Sequence, residues 1–296
     1  MFNHWRMRMI FELEHKDDHG VIKYSTEQIS FPAFVKHLTF AGTGKYRPPT
    51  LAFRYLGFLF GYFPYWGITH FVLPQFIFND PTEKGAISKQ IGRTFSDYLS
   101  KRIYRSKFSY SYEDAMIQKG LPITGHRPDF YCDNLKHQFA IEAKGFSASS
   151  ISANEMHNHK KQSQSGPIPV SFSIASVAYD LYKNLKVKFH DPVNDNVPYD
   201  REISFQLRSS YFNSVIDLVE QYRFPQTQSN FPDFVSYNFM PFFQPFFPPR
   251  LKLLVHRAII QRNWESNDWL ETIERPQERN ENYYIDSDGI GLSVID

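Results

Sequence analysis

The chain has 296 residues, enough for one large domain or two small ones with a substantial core. We therefore expect a folded protein rather than a disordered one. Its formal net charge of +2 is nearly neutral, so a nucleic-acid partner would need a local basic patch. The single cysteine, Cys132, excludes an intrachain disulfide and a cysteine-built zinc site, and the first residues lack the apolar region of a signal peptide, so we expect a cytoplasmic protein.

The N-terminal segment predicts a β-hairpin. Residues 7–13 alternate in polarity, residues 14–20 are polar, and residues 21–24 have an extended pattern. Residues 31–50 have the composition of a loop. Their Gly42-Thr43-Gly44-Lys45 cluster lacks the full spacing of a phosphate-binding loop, so no nucleotide site is predicted there.

An uncharged stretch, residues 56–78, is about as long as a bilayer-spanning helix. Two prolines and three glycines divide it into short pieces. We therefore predict a buried pair of strands or helices, with membrane association as the alternative.

A long helix is predicted from residue 80 to about residue 104. Asp80 can cap it, Pro81 suits its first position, and Glu83 is placed for a capping box. Because Glu83 lies one turn before Ile87, it could either cap the helix or face a site. The predicted apolar stripe consists of Ile87, Ile91, Phe95, Tyr98, Leu99 and Ile103.

The most informative stretch is a predicted hairpin in which residues 128–132 pair with residues 137–144. Glu142 and Lys144 are two apart and project from the same face of an extended strand. Pairing would bring Asp129 alongside Glu142. Two such carboxylates repel each other unless a cation lies between them, and hard oxygen ligands suit Mg²⁺.

A polar, basic helix is predicted over residues 154–164, and a buried strand over residues 168–179. The order helix, strand, strand, helix, strand indicates an α/β fold. His157 and His159 are two apart on the helix and do not share a face, so a solvated or phosphate-facing role is favoured over a zinc site.

The C-terminal part combines regular and irregular segments. Residues 209–222 predict a helix, and residues 251–274 predict one or two more. Residues 240–249, rich in Phe and Pro, cannot be regular helix and suggest a cover for the core or a partner surface. Residues 283–285 and 290–294 predict a closing hairpin.

The sequence Pro128-Asp129, followed after twelve residues by Glu142-Ala143-Lys144, resembles the PD-(D/E)XK nuclease superfamily. The resemblance implies a restriction-endonuclease-like core, in which a mixed central sheet lies between helices, with N- and C-terminal elaborations. It also implies that Asp129 and Glu142 hold Mg²⁺, for which Mn²⁺ may substitute, and that Lys144 assists the water or stabilises developing charge.

The same resemblance extends to the neighbouring helices. Glu83 is the nearest match for an acid that relatives often carry on the leading helix, although many carry it deeper, where this chain has Gln90 and Arg93. On the following helix Gln162 corresponds to a polar site residue, and Lys160 and Lys161 are expected to contact nucleic acid.

These expectations give residues 80–190 as the nuclease core, residues 1–79 as an N-terminal elaboration and residues 191–296 as a C-terminal elaboration packed on the core. The expected function is metal-dependent hydrolysis of DNA, by family analogy in prokaryotic restriction or anti-phage defence. A homodimer and an ATPase or helicase partner are expected options, and no membrane partner is expected. The alternative function is a non-catalytic subunit of the same fold that binds nucleic acid or a partner protein.

Overall fold

The computed structural model describes residues 8–42, 66–72, 79–191, 197–239, 250–273, 276–279 and 282–295. Within them the chain forms two β-sheets and seven helices. Most of the uncharged stretch 56–78 and the whole Phe-Pro segment 240–249 lie outside the described residues, as do Thr43, Gly44 and Lys45. No described helix has the length and apolarity needed to cross a membrane.

The first sheet has seven strands: β1 (Met9–Lys16), β2 (Ile22–Ile29), β3 (Phe108–Ser111), β4 (Phe130–Asp133), β5 (Gln138–Gly145), β6 (Phe172–Tyr179) and β7 (Lys186–His190). Their order is β2-β1-β7-β6-β5-β4-β3. The β1–β7 and β5–β6 pairs are parallel and the others antiparallel, so the sheet is mixed. The predicted α/β class is confirmed, and the N-terminal hairpin extends the sheet that contains the motif strands.

The second sheet is antiparallel and contains β8 (Gln226–Thr227), β9 (Phe234–Asn238), β10 (Arg250–His256), β11 (Gln277–Arg279), β12 (Tyr283–Ile285) and β13 (Ile290–Ile295). Its order is β11-β12-β13-β10-β9-β8. The predicted closing hairpin is confirmed as β12 and β13.

The helices are α1 (Phe31–Phe40), α2 (Pro81–Tyr104), α3 (Tyr112–Gln118), α4 (Ala153–Ser163), α5 (Arg201–Gln221), α6 (Arg257–Ile260) and α7 (Asp268–Thr272). Helix α2 has the predicted bounds and the predicted cap, since the Asp80 carboxylate accepts hydrogen bonds from the backbone N–H groups of Thr82 and Glu83. Of its predicted stripe, Ile91, Phe95 and Leu99 are fully buried. Helix α4 begins with a complete capping box between Ser152 and Glu155.

The prediction of a loop over residues 31–50 was wrong for its first part, which forms helix α1. Ser30 caps this helix, and Pro32 lies in its first turn. All ten residues of α1 are buried. A helix that is buried on every side lacks the polar face on which an amphipathic pattern depends, so its sequence does not look helical.

The prediction of only helices over residues 251–274 was also wrong. Strand β10 occupies the start of this range and is followed by the short helices α6 and α7. Leu251, Leu253 and Val255 are buried on one face, and Leu254 is buried on the other face, next to the half-buried Lys252 and His256. Leu254 interrupts the alternation that marks a half-exposed strand, so the apolar run looks helical.

A buried ionic network connects α1 to the turn between β12 and β13. The Lys36 ammonium pairs with Asp286 and lies 2.7 Å from the Asp288 carboxylate. His37 lies 2.8 Å from Asp97 on α2 and 2.8 Å from the Tyr284 hydroxyl. Burial alone would lower the pKa of Lys36, but Asp286 and Asp288 outweigh it and hold this pKa above its usual value.

Candidate metal and phosphate site

The β4–β5 hairpin brings Asp129 and Glu142 side by side, as the sequence predicts. Phe130 pairs with Ile141 in the antiparallel register, and the Asp129 N–H donates to the Ile141 carbonyl at 3.0 Å. The Asp129 carboxylate in turn accepts a 3.0 Å hydrogen bond from the Ala143 N–H. Asp129 is therefore fixed by the backbone of the strand that carries Glu142.

Glu142 is a buried carboxylate with unsatisfied bonding capacity. Its side chain is 0% exposed and forms an ion pair with Lys144, while its Oε2 atom has no hydrogen-bond partner among the described residues. Burial, and then the neighbouring Asp129 carboxylate, raise the pKa of Glu142 to about 7, against a smaller opposite effect of Lys144. A buried polar atom without a partner in a native fold calls for an explanation, and a bound cation is one.

Lys144 lies near both carboxylates and is partly exposed to solvent. Its ammonium nitrogen pairs with Glu142 and lies 3.9 Å from Asp129 Oδ2. The Lys144 side chain is 26% exposed, compared with 13% for Asp129. The lysine is the most accessible member of the triad and is placed to meet an incoming anion.

Helix α2 crosses β5 in backbone contact beside this triad. A Cβ atom on Gly92 would overlap the Lys144 carbonyl, and one on Gly145 would overlap the Ser88 carbonyl. Two glycines that face each other let helix and strand approach more closely than any side chain would permit. The close contact places the middle of α2, rather than its start, at the site.

Arg93 is the residue of α2 that contacts Asp129 in the site. Its Nη1 atom donates to Asp129 Oδ1 at 2.7 Å, and its guanidinium lies 4.4 Å from the centre of the Phe130 ring. Gly42 follows α1 and has a positive φ of 67°. A Cβ atom at this position would overlap both Arg93 and Phe130, so the absence of a side chain lets the backbone run beside these two residues. At this point of α2 the chain therefore carries a cation that holds Asp129.

The structure places Glu83 apart from the triad. Glu83 lies exposed in the first turn of α2, ten residues before Arg93, which corresponds to about 15 Å along a helix axis. Among the described residues it makes no contact with Asp129, Glu142 or Lys144, and its backbone N–H donates to the Asp80 carboxylate. Asp80 therefore caps the helix, and among the described residues the Glu83 side chain completes neither a capping box nor the triad.

The predicted residues of α4 have mixed environments. The Lys160 ammonium donates to the Asp191 carbonyl at 2.7 Å and so ties α4 to the chain after β7. Lys161 is exposed, and Gln162 is half-buried in the last turn. The structure shows no contact of these side chains with Asp129, Glu142 or Lys144 within the described residues.

His159 is the α4 residue that the structure relates to the triad. Its ring stacks on Phe146 with centroids 5.8 Å apart. Burial, followed by the positive charge of Lys144, lowers the pKa of His159, while Glu155 on the same helix acts in the opposite direction. The stacking of His159 on Phe146 and its electrostatic interaction with Lys144 were not predicted from the sequence. The available signal was its spacing of three residues from Met156, the buried residue that seats α4 on β6.

The chain matches no protein-family model, no curated protein and no solved structure. The chemistry of the site is therefore inferred from the charges of its side chains. Arg93, Lys144 and the exposed Lys89, which also acts on Glu142, outnumber the two carboxylates. A site of this composition favours a ligand that carries negative charge.

The two carboxylates also fit a hard divalent cation. Among the described residues no cluster of three His, Cys, Asp or Glu side chains is present. Mg²⁺ does not require one, because it keeps several waters and is commonly held by one or two carboxylates together with substrate phosphate. The unpartnered Oε2 of Glu142 and the adjacent Asp129 carboxylate are donors of this kind.

Proposed function

We propose that the protein is a metal-dependent nuclease that hydrolyses phosphodiester bonds, with DNA as the substrate, and that residues 80–190 form a restriction-endonuclease-like core. The observation that carries the proposal is the buried Glu142, which lies beside Asp129 and Lys144 and keeps an unpartnered oxygen. Asp129 and Glu142 would hold Mg²⁺ or Mn²⁺. A bound cation would neutralise phosphate charge and lower the pKa of its water.

The protein's own groups have separate roles in this proposal. Lys144 stabilises the negative charge that develops on the phosphate, because it is the exposed cation of the triad. Arg93 holds Asp129 in a single orientation through the 2.7 Å hydrogen bond. Lys89, exposed one turn earlier on α2, adds positive charge at the mouth of the site.

The decisive experiment is a cleavage assay of the full chain on supercoiled, linear and single-stranded DNA with Mg²⁺ or Mn²⁺. We expect cleavage that a chelator stops and that Asp129→Asn and Lys144→Ala abolish. RNA of the same length serves as the comparison substrate. Absence of cleavage of every DNA substrate with either metal would refute the proposal, as would full activity in both variants.

A second candidate function is metal-free binding of nucleic acid by a non-catalytic subunit. The Arg93–Asp129 pair favours it, since a protein cation already neutralises one of the two carboxylates. DNA binding in the presence of chelator, without cleavage when metal is added, would support this candidate. An ATPase or helicase would then be the expected catalytic partner.

His159 provides a test of how the water is activated. We expect His159→Ala to lower the cleavage rate about 100-fold with little change in DNA affinity, because burial and the charge of Lys144 lower the pKa of the imidazole and so favour the form that accepts a proton. His157→Ala is the matched control, since His157 is exposed two residues away on the same helix. Single-turnover rates and DNA-binding curves measure the two effects separately. Equal rates for wild type and His159→Ala would exclude the role.

A further inference from the structure

Strand β2 forms an open edge of the seven-stranded sheet. It pairs with β1 over all eight residues and, in the part of the chain that the structure describes, with no other strand. Residues 21–26 are all exposed. The Gln28 carbonyl accepts a 2.7 Å hydrogen bond from the Tyr98 hydroxyl, so the part of the edge whose N–H and C=O groups another strand can pair with is residues 22–26.

The usual protection of an edge strand is weak here. Strand β2 contains no proline, and its register with β1 is continuous, without a bulge. Its outer end carries apolar side chains, since Val21, Ile22 and Tyr24 are 52%, 45% and 76% exposed. Lys23 is the one charged side chain among these six residues. The edge therefore has the composition of an interface rather than that of a blunted edge.

The sequence of β2 is complementary to itself in one antiparallel register. With a two-fold axis at Ser25, Lys23 of each copy lies opposite Glu27 of the other, and Tyr24 lies opposite Thr26. Moving the axis by one residue places Lys23 opposite Ser25 or Ile29 instead. Pairing of opposite charges therefore favours this register. It also favours the β2 strand of a second copy of the chain as the strand that pairs with this edge.

We propose that two copies of this chain associate through their β2 edges, so that one continuous sheet runs through both. Within one chain Glu27 pairs with Arg102 at 3.2 Å and Lys23 with Asp17 at 3.3 Å, so in the dimer each gains a second partner. Tyr24, the most exposed large apolar residue of the strand, becomes covered. The interface is isologous, as expected for a two-fold dimer.

The test uses a charge exchange between two variants measured by sedimentation equilibrium. Lys23→Glu places like charges opposite each other in its own dimer, and so does Glu27→Lys. We expect each variant alone to dissociate at least about tenfold more readily than wild type, which corresponds to ~1.4 kcal/mol. An equimolar mixture of the two variants restores both opposite-charge pairs, so we expect it to form the dimer again.

Lys136→Glu is the control, because Lys136 is exposed in the β4–β5 turn and lies outside β2. It should sediment like wild type. A wild type that remains monomeric at about 100 μM would overturn the proposal, and so would a dimer that neither variant weakens. Sedimentation is measured without nucleic acid, so the outcome is independent of the proposed nuclease activity.

Discussion

Replacing Glu142 by glutamine is expected to abolish cleavage, with a loss of about 1,000-fold or more, and at the same time to stabilise the fold at alkaline pH. The loss follows because a neutral amide is a poor ligand for Mg²⁺ and cannot replace the buried carboxylate next to Asp129. Cleavage assays with the metal present measure the first effect. Urea unfolding at several pH values measures the second.

The stabilisation has a defined dependence on pH. Burial and the neighbouring Asp129 raise the pKa of Glu142 from an ordinary value of 4.5 to about 7. The folded state therefore holds the proton more tightly than the unfolded state, and ionised Glu142 opposes folding as the pH rises through this window. Glutamine never ionises. We expect Glu142→Gln to be more stable than wild type by roughly 1–3 kcal/mol at pH 8 and no more stable below pH 4.5.

Glu265→Gln is the control for both effects, since Glu265 is exposed and far in sequence from the triad. It should change neither cleavage nor the pH dependence of unfolding. A Glu142→Gln variant that still cleaves would remove Glu142 from the site. An unchanged stability between pH 5 and 8 would show that its carboxylate is not in the buried environment described above.

Replacing Lys36 by methionine is expected to destabilise the protein by about 3 kcal/mol or more. Methionine has a similar length but leaves Asp286 and Asp288 buried without the ammonium that pairs directly with both. Burial raises the pKa of Asp286, but Lys101 and Lys36 lower it more, so that it lies below its usual value. The stabilisation by the network is therefore present above the usual aspartate pKa and is lost on acidification.

Denaturant unfolding of a double-mutant cycle tests this network. Adding Asp286→Asn to Lys36→Met removes the surplus negative charge, so we expect the double variant to recover part of the loss, with a coupling of about 1–3 kcal/mol. Lys186→Ala breaks a surface pair with Glu12 and should change stability by only about 0–1 kcal/mol, because solvent screens that pair. Additive effects of Lys36→Met and Asp286→Asn would contradict the network.

The β4–β5 hairpin could be predicted from sequence because its determinants are local. Strand alternation and a turn of a few residues fix the register that places Asp129 beside Glu142. Helix α2 was predicted for the same reason, since Asp80, Pro81 and the apolar stripe lie within one segment. Features of this kind need no knowledge of the rest of the fold.

The unpredicted features depend on distant partners. Helix α1 is buried on all sides and strand β10 contains a buried run on both faces, so neither shows the period that burial on one face produces. Arg93 reaches Asp129 across 36 residues of sequence, and only the glycine contact between α2 and β5 makes this possible. The relation of His159 to Lys144 likewise requires α4 to be seated on the sheet.

The pairing of Lys36 with Asp286 also constrains when the protein can fold during synthesis. The two residues are 250 positions apart, so the acidic turn leaves the ribosome well after helix α1. At translation rates of about 5–20 residues per second, roughly 10–50 s pass between the synthesis of helix α1 and that of the aspartates that pair with its lysine. During that interval its phenylalanines and its lysine cannot be buried together without an unpaired charge. We expect the N-terminal part to complete its folding only after the acidic turn has emerged, and to depend on chaperones until then.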